Sequence, residues 1–250
     1  MNDGNVEYAN VSDAYEAKLK QIEVFSEKFL KFIPRRMPDY PSYGVDHSQN
    51  IIVLLDKFIE AWSIDITEKE SYLLYLGAWV HDIGNITGRV GHNKKSAEIV
   101  GKSPFFESIL GKDIVTLLKW IAKAHSSKYP LKEVPKNCLS VRLQLVCSIF
   151  RIIDACEISN SKCPSEVYEL IKDDLVSSKS GSDKYWKAHM SVIGVWFKVP
   201  NIGILVDDLE LSNILIEHLE EEIDSVRDVL DTNNIPVPRV EVAIDGYDYD

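Results

Sequence analysis

Trp79-Val80-His81-Asp82-Ile83-Gly84-Asn85 is the stretch on which fold and chemistry turn, because a metal-ligand type and a carboxylate stand side by side where a helical pattern runs into its glycine. Just upstream, Thr67 and Glu70 stand at capping-box spacing. Tyr72, Leu73, Leu76, Ala78 and Trp79 follow, so Thr67 to Val80 reads as a largely buried helix. A His-Asp pair at its end lies near the core, where an imidazole and a carboxylate are costly unless paired, hydrogen-bonded or metal-bound. The dipeptide alone is common by chance; its place at the end of a buried helix singles it out.

Moving outward, Ser12-Asp13 opens a helix that runs toward Ile33, with Tyr15, Leu19, Ile22, Phe25, Phe29 and Leu30 at helical spacing. Pro34, Pro38 and Pro41 make the next segment a loop. A second amphipathic helix begins at Asp46 and puts His47 in its first turn. Downstream of the central helix, Gly84, Gly88 and Gly91 mark a loop able to fold over a pocket. A short helix spans Asn93 to Val100, and another runs from Lys112 to Lys123 with His125 just past its last turn. Ser140 is placed to cap a strongly apolar helix, Val141 to Ile158, that carries Asp154.

The character changes after Cys163-Pro164. One more helix, Ser165 to Leu175, leads into a Ser-Gly-rich segment, and then the period of 3.6 is lost. His189 to Val199 and Ile202 to Val206 read as a hairpin, Ser212 as the cap of a helix to Asp231, and Val237 to Ile244 as a third strand. The expected fold class is mainly α, a helical bundle with a small C-terminal antiparallel β-sheet and helix. Residues 1–176 form the helical domain and 183–250 a small α/β unit packed on it through Trp186, Trp196 and Phe197, supplying no metal ligand. His189 falls on a strand in this reading, facing solvent or capping the sheet, and Gly246 to Asp250 reads as a loose acidic end.

With 250 residues, 45% of them hydrophobic, the chain can bury a sizeable core. Its formal charge of −11 argues against a general nucleic-acid or membrane-surface binder, while leaving room for a local basic patch. Cys138, Cys147, Cys156 and Cys163 include no Cys-x-x-Cys pair, so they read as reduced, packed thiols. The polar start, Met1 to Asn10, has no apolar leader pattern, and no run approaches a membrane span. A cytoplasmic protein is expected.

The polar residues at helix ends or on apolar helices are His47, His81, Asp82, His92, His125 and Asp154. They offer imidazole nitrogen and carboxylate oxygen without thiolate, a set suited to a divalent transition metal, and successive helices of a bundle can each deliver one. A lone histidine is more often a satisfied core or surface residue than a ligand, which applies to His92 and His125 taken singly. Asp154 resists that explanation, because a carboxylate on so apolar a helix is almost never fully buried without a partner.

This order, a His, then a His-Asp pair, then a distant Asp, resembles the HD-domain superfamily of metal-dependent phosphohydrolases, here at His47, His81-Asp82 and Asp154 over residues 40 to 165. The resemblance implies an all-helical core holding one metal on those four residues. His92 and His125 stand where binuclear members carry two further histidines, with Asp82 as the bridging carboxylate. Arg151-Ile152-Ile153-Asp154-Ala155 is similar to the family's final-helix motif. Members that hydrolyse cyclic dinucleotides carry a Lys where Asn85 stands and a Gly-Tyr-Pro segment absent here, so that substrate is not expected.

What the resemblance implies is a phosphate mono- or diester substrate, of a nucleotide or nucleic acid, hydrolysed with one or two ions (Mn, Fe, Ni, Co or Mg). Asp82 orients or deprotonates a water. Lys95, Lys128 and Arg151 are the cations placed by spacing to hold the substrate, although surface lysines are commonly just solvated. The partner is then a phosphorylated small molecule or nucleotide, with a homodimer as a further possibility. Two other readings share the ligand order: an HD-type di-iron oxygenase, and a non-catalytic metal-binding signalling module with the C-terminal sheet as its partner surface.

Overall fold

The computed structural model describes residues 6–178 and 180–246; the expected loose end at 247–250 lies outside the described residues. In chain order the helices are α1 (Asp13–Leu30), α2 (Ile33–Arg36), α3 (Val45–Ala61), α4 (Glu68–Val80), α5 (His92–Lys102), α6 (Pro104–Ala124), α7 (Leu143–Cys156), α8 (Ser165–Ser177) and α9 (Asp183–Met190). Strands β1 (Val192–Lys198) and β2 (Asn201–Val206) come next, then α10 (Leu209–Asp224), α11 (Arg227–Thr232) and β3 (Arg239–Ile244). The fold is mainly helical with a small C-terminal sheet, as expected.

α4 is the axis of the bundle. Every residue from Glu70 to Val80 is buried, and α1, α3, α6 and α7 pack around it. Its start is fixed by a reciprocal capping box: Glu70 N–H donates to Thr67 Oγ1 at 3.3 Å and Thr67 N–H donates to Glu70 Oε2 at 3.0 Å. Glu70 also takes the Arg142 guanidinium, at 3.0 Å from Nε and 2.7 Å from Nη2, and the Arg142 N–H at 2.9 Å. One carboxylate thus caps α4 and ties it to the entry of α7. Apolar side chains all round α4 have no solvent face to choose, so the helix can only be central.

Three boundaries differ from expectation for local reasons. Ser140 does not cap the apolar helix: Leu139 and Ser140 have φ of 50° and 63°, in a tight turn closed by the Cys138–Val141 bridge, and α7 starts at Leu143. The helix expected at Lys112 starts at Pro104, with Gly111 at φ 79° kinking it midway. Asp208, not Ser212, caps α10 by accepting the Leu211 N–H at 2.9 Å.

The sheet has the order β1-β2-β3 and is mixed, not wholly antiparallel. β1 and β2 pair as an antiparallel hairpin, whereas β3 lies parallel to β2, Asn201 opposite Arg239 through Val206 opposite Ile244. The reason is the connection: α10 and α11 return the chain to the starting end of β2, and a strand that arrives by a helical crossover runs parallel. His189 also moves. Residues 183–190 form α9 instead of the first strand, and His189 is buried with its Nδ1 2.9 Å from the Ile158 carbonyl oxygen.

The sheet rests on the helices through Phe197, edge-on to Phe58 at 5.5 Å and to Trp62 at 6.1 Å between ring centroids, while Trp62 Nε1 donates to the Pro236 carbonyl. Trp186 sits in a separate small cluster with Cys163, Tyr168 and Leu175 and donates to the Asp39 carbonyl. Trp196 packs over Gly203 on the sheet's outer side and is partly exposed. No helix among the described residues is long and apolar enough to cross a membrane.

Candidate metal centre

Six side chains from five places converge beneath the end of α4. His47 comes from the first turn of α3, His81 and Asp82 from the end of α4, His92 from the start of α5, His125 from the end of α6 and Asp154 from α7. They fall into two groups, His47-His81-Asp154 and Asp82-His92-His125, and within each the donor atoms lie within 4.8 Å of one another. The Nε2 atoms of His47 and His81 are 3.2 Å apart, and those of His92 and His125 are 3.0 Å apart. Asp154 Oδ1 is 3.3 Å from His47 Nε2 and 3.5 Å from His81 Nε2.

Asp82 spans the two groups. Its Oδ2 lies 3.8 Å from His47 Nε2 and 3.6 Å from His81 Nε2, while Oδ1 lies 3.2 Å from His92 Nε2 and 3.9 Å from His125 Nε2. Asp82 thus turns one carboxylate oxygen toward the histidines of each group.

The second nitrogen of every ring is already committed. Glu157 Oε2 takes His47 Nδ1 at 2.8 Å. His81 Nδ1 faces the Gly77 and Ala78 carbonyls at 3.2 Å, His92 Nδ1 the Arg89 carbonyl at 2.8 Å, and His125 Nδ1 the Ala122 carbonyl at 2.9 Å. An N–H spent on a carbonyl or carboxylate leaves Nε2 as a lone pair, so four lone pairs point inward. Lone pairs 3.0–3.2 Å apart repel unless a cation stands between them. Asp82 Oδ1 is buried and accepts no hydrogen bond among the described residues. Imidazole nitrogens beside two carboxylates are a donor set that a divalent cation satisfies.

The electrostatics agree with this demand. Burial alone would raise the Asp82 and Asp154 carboxyls, yet the histidines beside them, with Arg89 for Asp82, hold both well below the usual range. Burial likewise works against protonation of His81, but Asp82 and Asp154 overcome it and raise its pKa, whereas burial takes His125 down to about 3.

Local structure explains how the turn after α4 reaches α5. Gly84 lies so close to α5 that a Cβ on it would stand 2.2 Å from the His92 carbonyl oxygen, and its N–H donates to Ser96 Oγ at 2.8 Å. Only glycine fits there. The following turn, with Gly88 at φ 114° and Gly91 at φ 71°, delivers Arg89 to the centre. Arg89 Nη1 lies 3.8 Å from Asp82 Oδ1 and 3.4 Å from His92 Nε2, and its guanidinium sits over the Tyr43 ring at 4.4 Å. Its side chain is 37% exposed.

Two functional residues were not anticipated from the sequence. Glu157 binds His47 while Asn50 Nδ2 donates to its other oxygen at 3.0 Å and Lys162 Nζ lies 2.7 Å away. Burial raises its carboxyl, but Lys162 and His47 more than reverse that and leave it depressed. The signal was present: Glu157 follows Asp154 by one helical turn on the same apolar stretch. Arg89 had a weaker signal, a single cation between two glycines in the loop after the His-Asp pair.

The three cations chosen by spacing are not at the centre. Lys95 pairs with Glu98 at 3.0 Å and Lys128 is exposed beyond His125; neither is within ion-pair distance of Asp82 or Asp154. Arg151 is a correction to the expectation of a phosphate contact. It is 1% exposed and donates to the carbonyls of Ala124 and Tyr129 and to Ser225 Oγ, each at 2.8–3.2 Å. A buried guanidinium with its donors so occupied braces the loop behind His125 instead of meeting solvent.

A helical core in which a His, an adjacent His-Asp pair and a distant Asp meet at one buried point defines an HD-type domain. The HD-CE family model matches residues 37–226, from before the first ligand to the end of α10, and the chain belongs to that family. No curated protein matches the chain.

Proposed function

We propose that this HD-type domain is a metal-dependent phosphohydrolase with two ions, cleaving a phosphate mono- or diester of a nucleotide or nucleic acid. His47, His81 and Asp154 would hold one ion and His92 and His125 the other, with Asp82 between them. When bound, such ions lower the pKa of a coordinated water and neutralise phosphoryl charge. The protein's own contribution is to keep four Nε2 lone pairs free by fixing each Nδ1, and to exclude bulk water from Asp82, which is 3% exposed. Asp82 is also the carboxylate placed to orient the attacking water or accept its proton.

The single observation that carries the phosphate reading is Arg89. A guanidinium 3.8 Å from Asp82, on a side chain that is 37% exposed, is suited to take phosphoryl oxygens, and its stacking on Tyr43 holds it in place. Burial works against its charge, yet Tyr43, Asp82 and Asp154 outweigh that and keep it cationic. An anionic substrate is common to hydrolysis and to the di-iron oxygenase reading, and metal analysis separates the two.

The test combines metal analysis after anaerobic purification with turnover of an aryl phosphate monoester and an aryl phosphodiester. Hydrolysis of either, with Arg89→Ala lowering kcat/KM by about 10²-fold at unchanged metal content, is the expected result. A mixed-valence di-iron signal with no hydrolysis of either ester would overturn the proposal.

A further inference from the structure

A concentration of positive charge lies outside the centre, in the furrow between α5 and α6. There Lys94, Lys102, Lys119 and Lys123 line a hollow of about 570 Å³ together with Ala97, Gly101 and a single carboxylate, Glu98. This balance runs against the rest of a chain whose formal charge is −11. Glu98 is shared by Lys95 and Lys102, at 3.0 and 2.6 Å. Lys94, Lys119 and Lys123 have no carboxylate within 4 Å among the described residues.

The lysines face one another in rungs. The part of α6 after the Gly111 kink runs back along α5, and Gly101 meets Lys119, whose Cδ lies 2.8 Å from where a Cβ on residue 101 would stand. At the other end, Asn93 Nδ2 donates to the Lys123 carbonyl at 2.8 Å, which brings Lys94 beside Lys123. Lys123 Nζ is itself set over the rings of Tyr129 at 4.5 Å and Trp120 at 5.3 Å. Lys119 and Lys123 are one turn apart on the same helix, a like-charge spacing that destabilises a helix on its own. The inner rung adjoins the candidate centre, because Lys94 follows His92 by two residues and Lys123 precedes His125 by two. From Lys94 to Lys102 the furrow extends roughly 12 Å.

We propose that this furrow is a binding track for linked phosphates, which leads a phosphodiester or polyphosphate chain toward the Asp82-His92-His125 group. Three ammonium groups without a carboxylate, Lys94, Lys119 and Lys123, with Lys102 held by Glu98 at the end of the row, match a row of anions and not a single one, and the length of the furrow suits several nucleotides of a strand. That the track feeds the centre rests on the hydrolase reading; that it binds linked phosphates does not.

Binding is therefore measured on the whole chain without divalent metal, by fluorescence anisotropy of a labelled single-stranded oligonucleotide of about ten nucleotides. Lys94→Glu/Lys119→Glu is compared with Lys18→Glu/Lys57→Glu, which makes the same charge change at exposed positions elsewhere. The furrow variant is expected to bind at least tenfold more weakly, the other variant to bind as the parent does within about twofold, and the parent to lose affinity with a log–log salt slope of roughly −2 to −3. Tripolyphosphate should displace the probe where orthophosphate does not, and the tighter of oligonucleotide and tripolyphosphate names the source of the phosphates. No binding by the parent, equal loss in both variants, or equal displacement by orthophosphate would overturn the track. Hydrolysis of small esters by a protein that fails this test would leave the hydrolase reading standing.

Discussion

The two ligand groups are built from the same kinds of side chain yet held in different ways. His47-His81-Asp154 is braced from within the helical bundle: Glu157 grips His47 directly, and the Glu70–Arg142 pair locks α4, which ends at His81, against α7, which carries Asp154. Asp82-His92-His125 depends on loops and on the C-terminal region. Arg151 holds the carbonyls on either side of His125, and Glu222 on α10 receives Ser127 through its N–H at 2.8 Å and its hydroxyl at 2.9 Å. Ser225 joins the two braces by accepting from Arg151 and donating to the Glu222 carbonyl. A ligand set that is uniform in chemistry is thus uneven in mechanics, rigid on one side and dependent on a distant helix on the other.

Asp82 lies within 4 Å of histidines of both groups, so Asp82→Ala should produce the largest effect. Metal content should fall at both positions and phosphohydrolysis by about 10³-fold or more, read by elemental analysis and turnover. Retention of one full equivalent of metal would show that the groups do not share this carboxylate.

The bundle-side brace can be broken without touching a ligand. Glu70→Ala removes the capping box of α4 and its tie to Arg142, whose side chain is 36% exposed and can turn to solvent, and should cost about 1–2 kcal/mol of stability in denaturant unfolding. The acid limb of the stability curve makes the same point. Burial raises the Glu70 carboxyl, but Arg142 and the Thr67 and Arg142 N–H groups overcome this and bring it to about 2. A folded-state pKa below the unfolded value gives stability that is full above the ordinary carboxylate range and is lost as pH falls toward 2. Glu70→Ala should therefore flatten the loss of stability between about pH 4.5 and pH 2. An unchanged acid limb would remove Glu70 from the account.

Glu157→Gln and Glu222→Gln then separate the groups. The first loosens a ring held by direct contact, and should weaken metal binding at His47-His81-Asp154 by about 10–100-fold with little change at the other group. The second acts through the Ser127 loop and should weaken only the Asp82-His92-His125 position, by about tenfold or less. Titration with Co(II), followed by its ligand-field spectrum, would resolve the two steps. Parallel weakening of both steps in either variant would mean that the groups behave as one unit.

Much of this was legible in the chain. Thr67, Glu70 and the apolar run to Trp79 announce a buried, capped helix, because capping and periodicity are local properties carried by neighbours in sequence. His47, His81, Asp82, His92, His125 and Asp154 could be picked out for the same reason: each is a polar residue at a helix end or on an apolar helix, where burial demands a partner. Arg151 satisfied that rule equally well and turned out to serve the backbone, since a guanidinium on a buried face can be met by carbonyls that no sequence pattern reveals. The parallel β3 and the helical His189 were also hidden, the one because it depends on where a crossover returns the chain, the other because a short amphipathic segment rich in aromatics suits helix and strand alike. The sequence by itself thus determined the buried central helix and the types of side chain that meet beneath it. Only the tertiary structure decided that Asp82 divides its oxygens between two groups, that Glu157 and Arg89 stand beside them, and that the lysines of α5 and α6 face each other, because distances between residues far apart in the chain are set by packing and not by spacing.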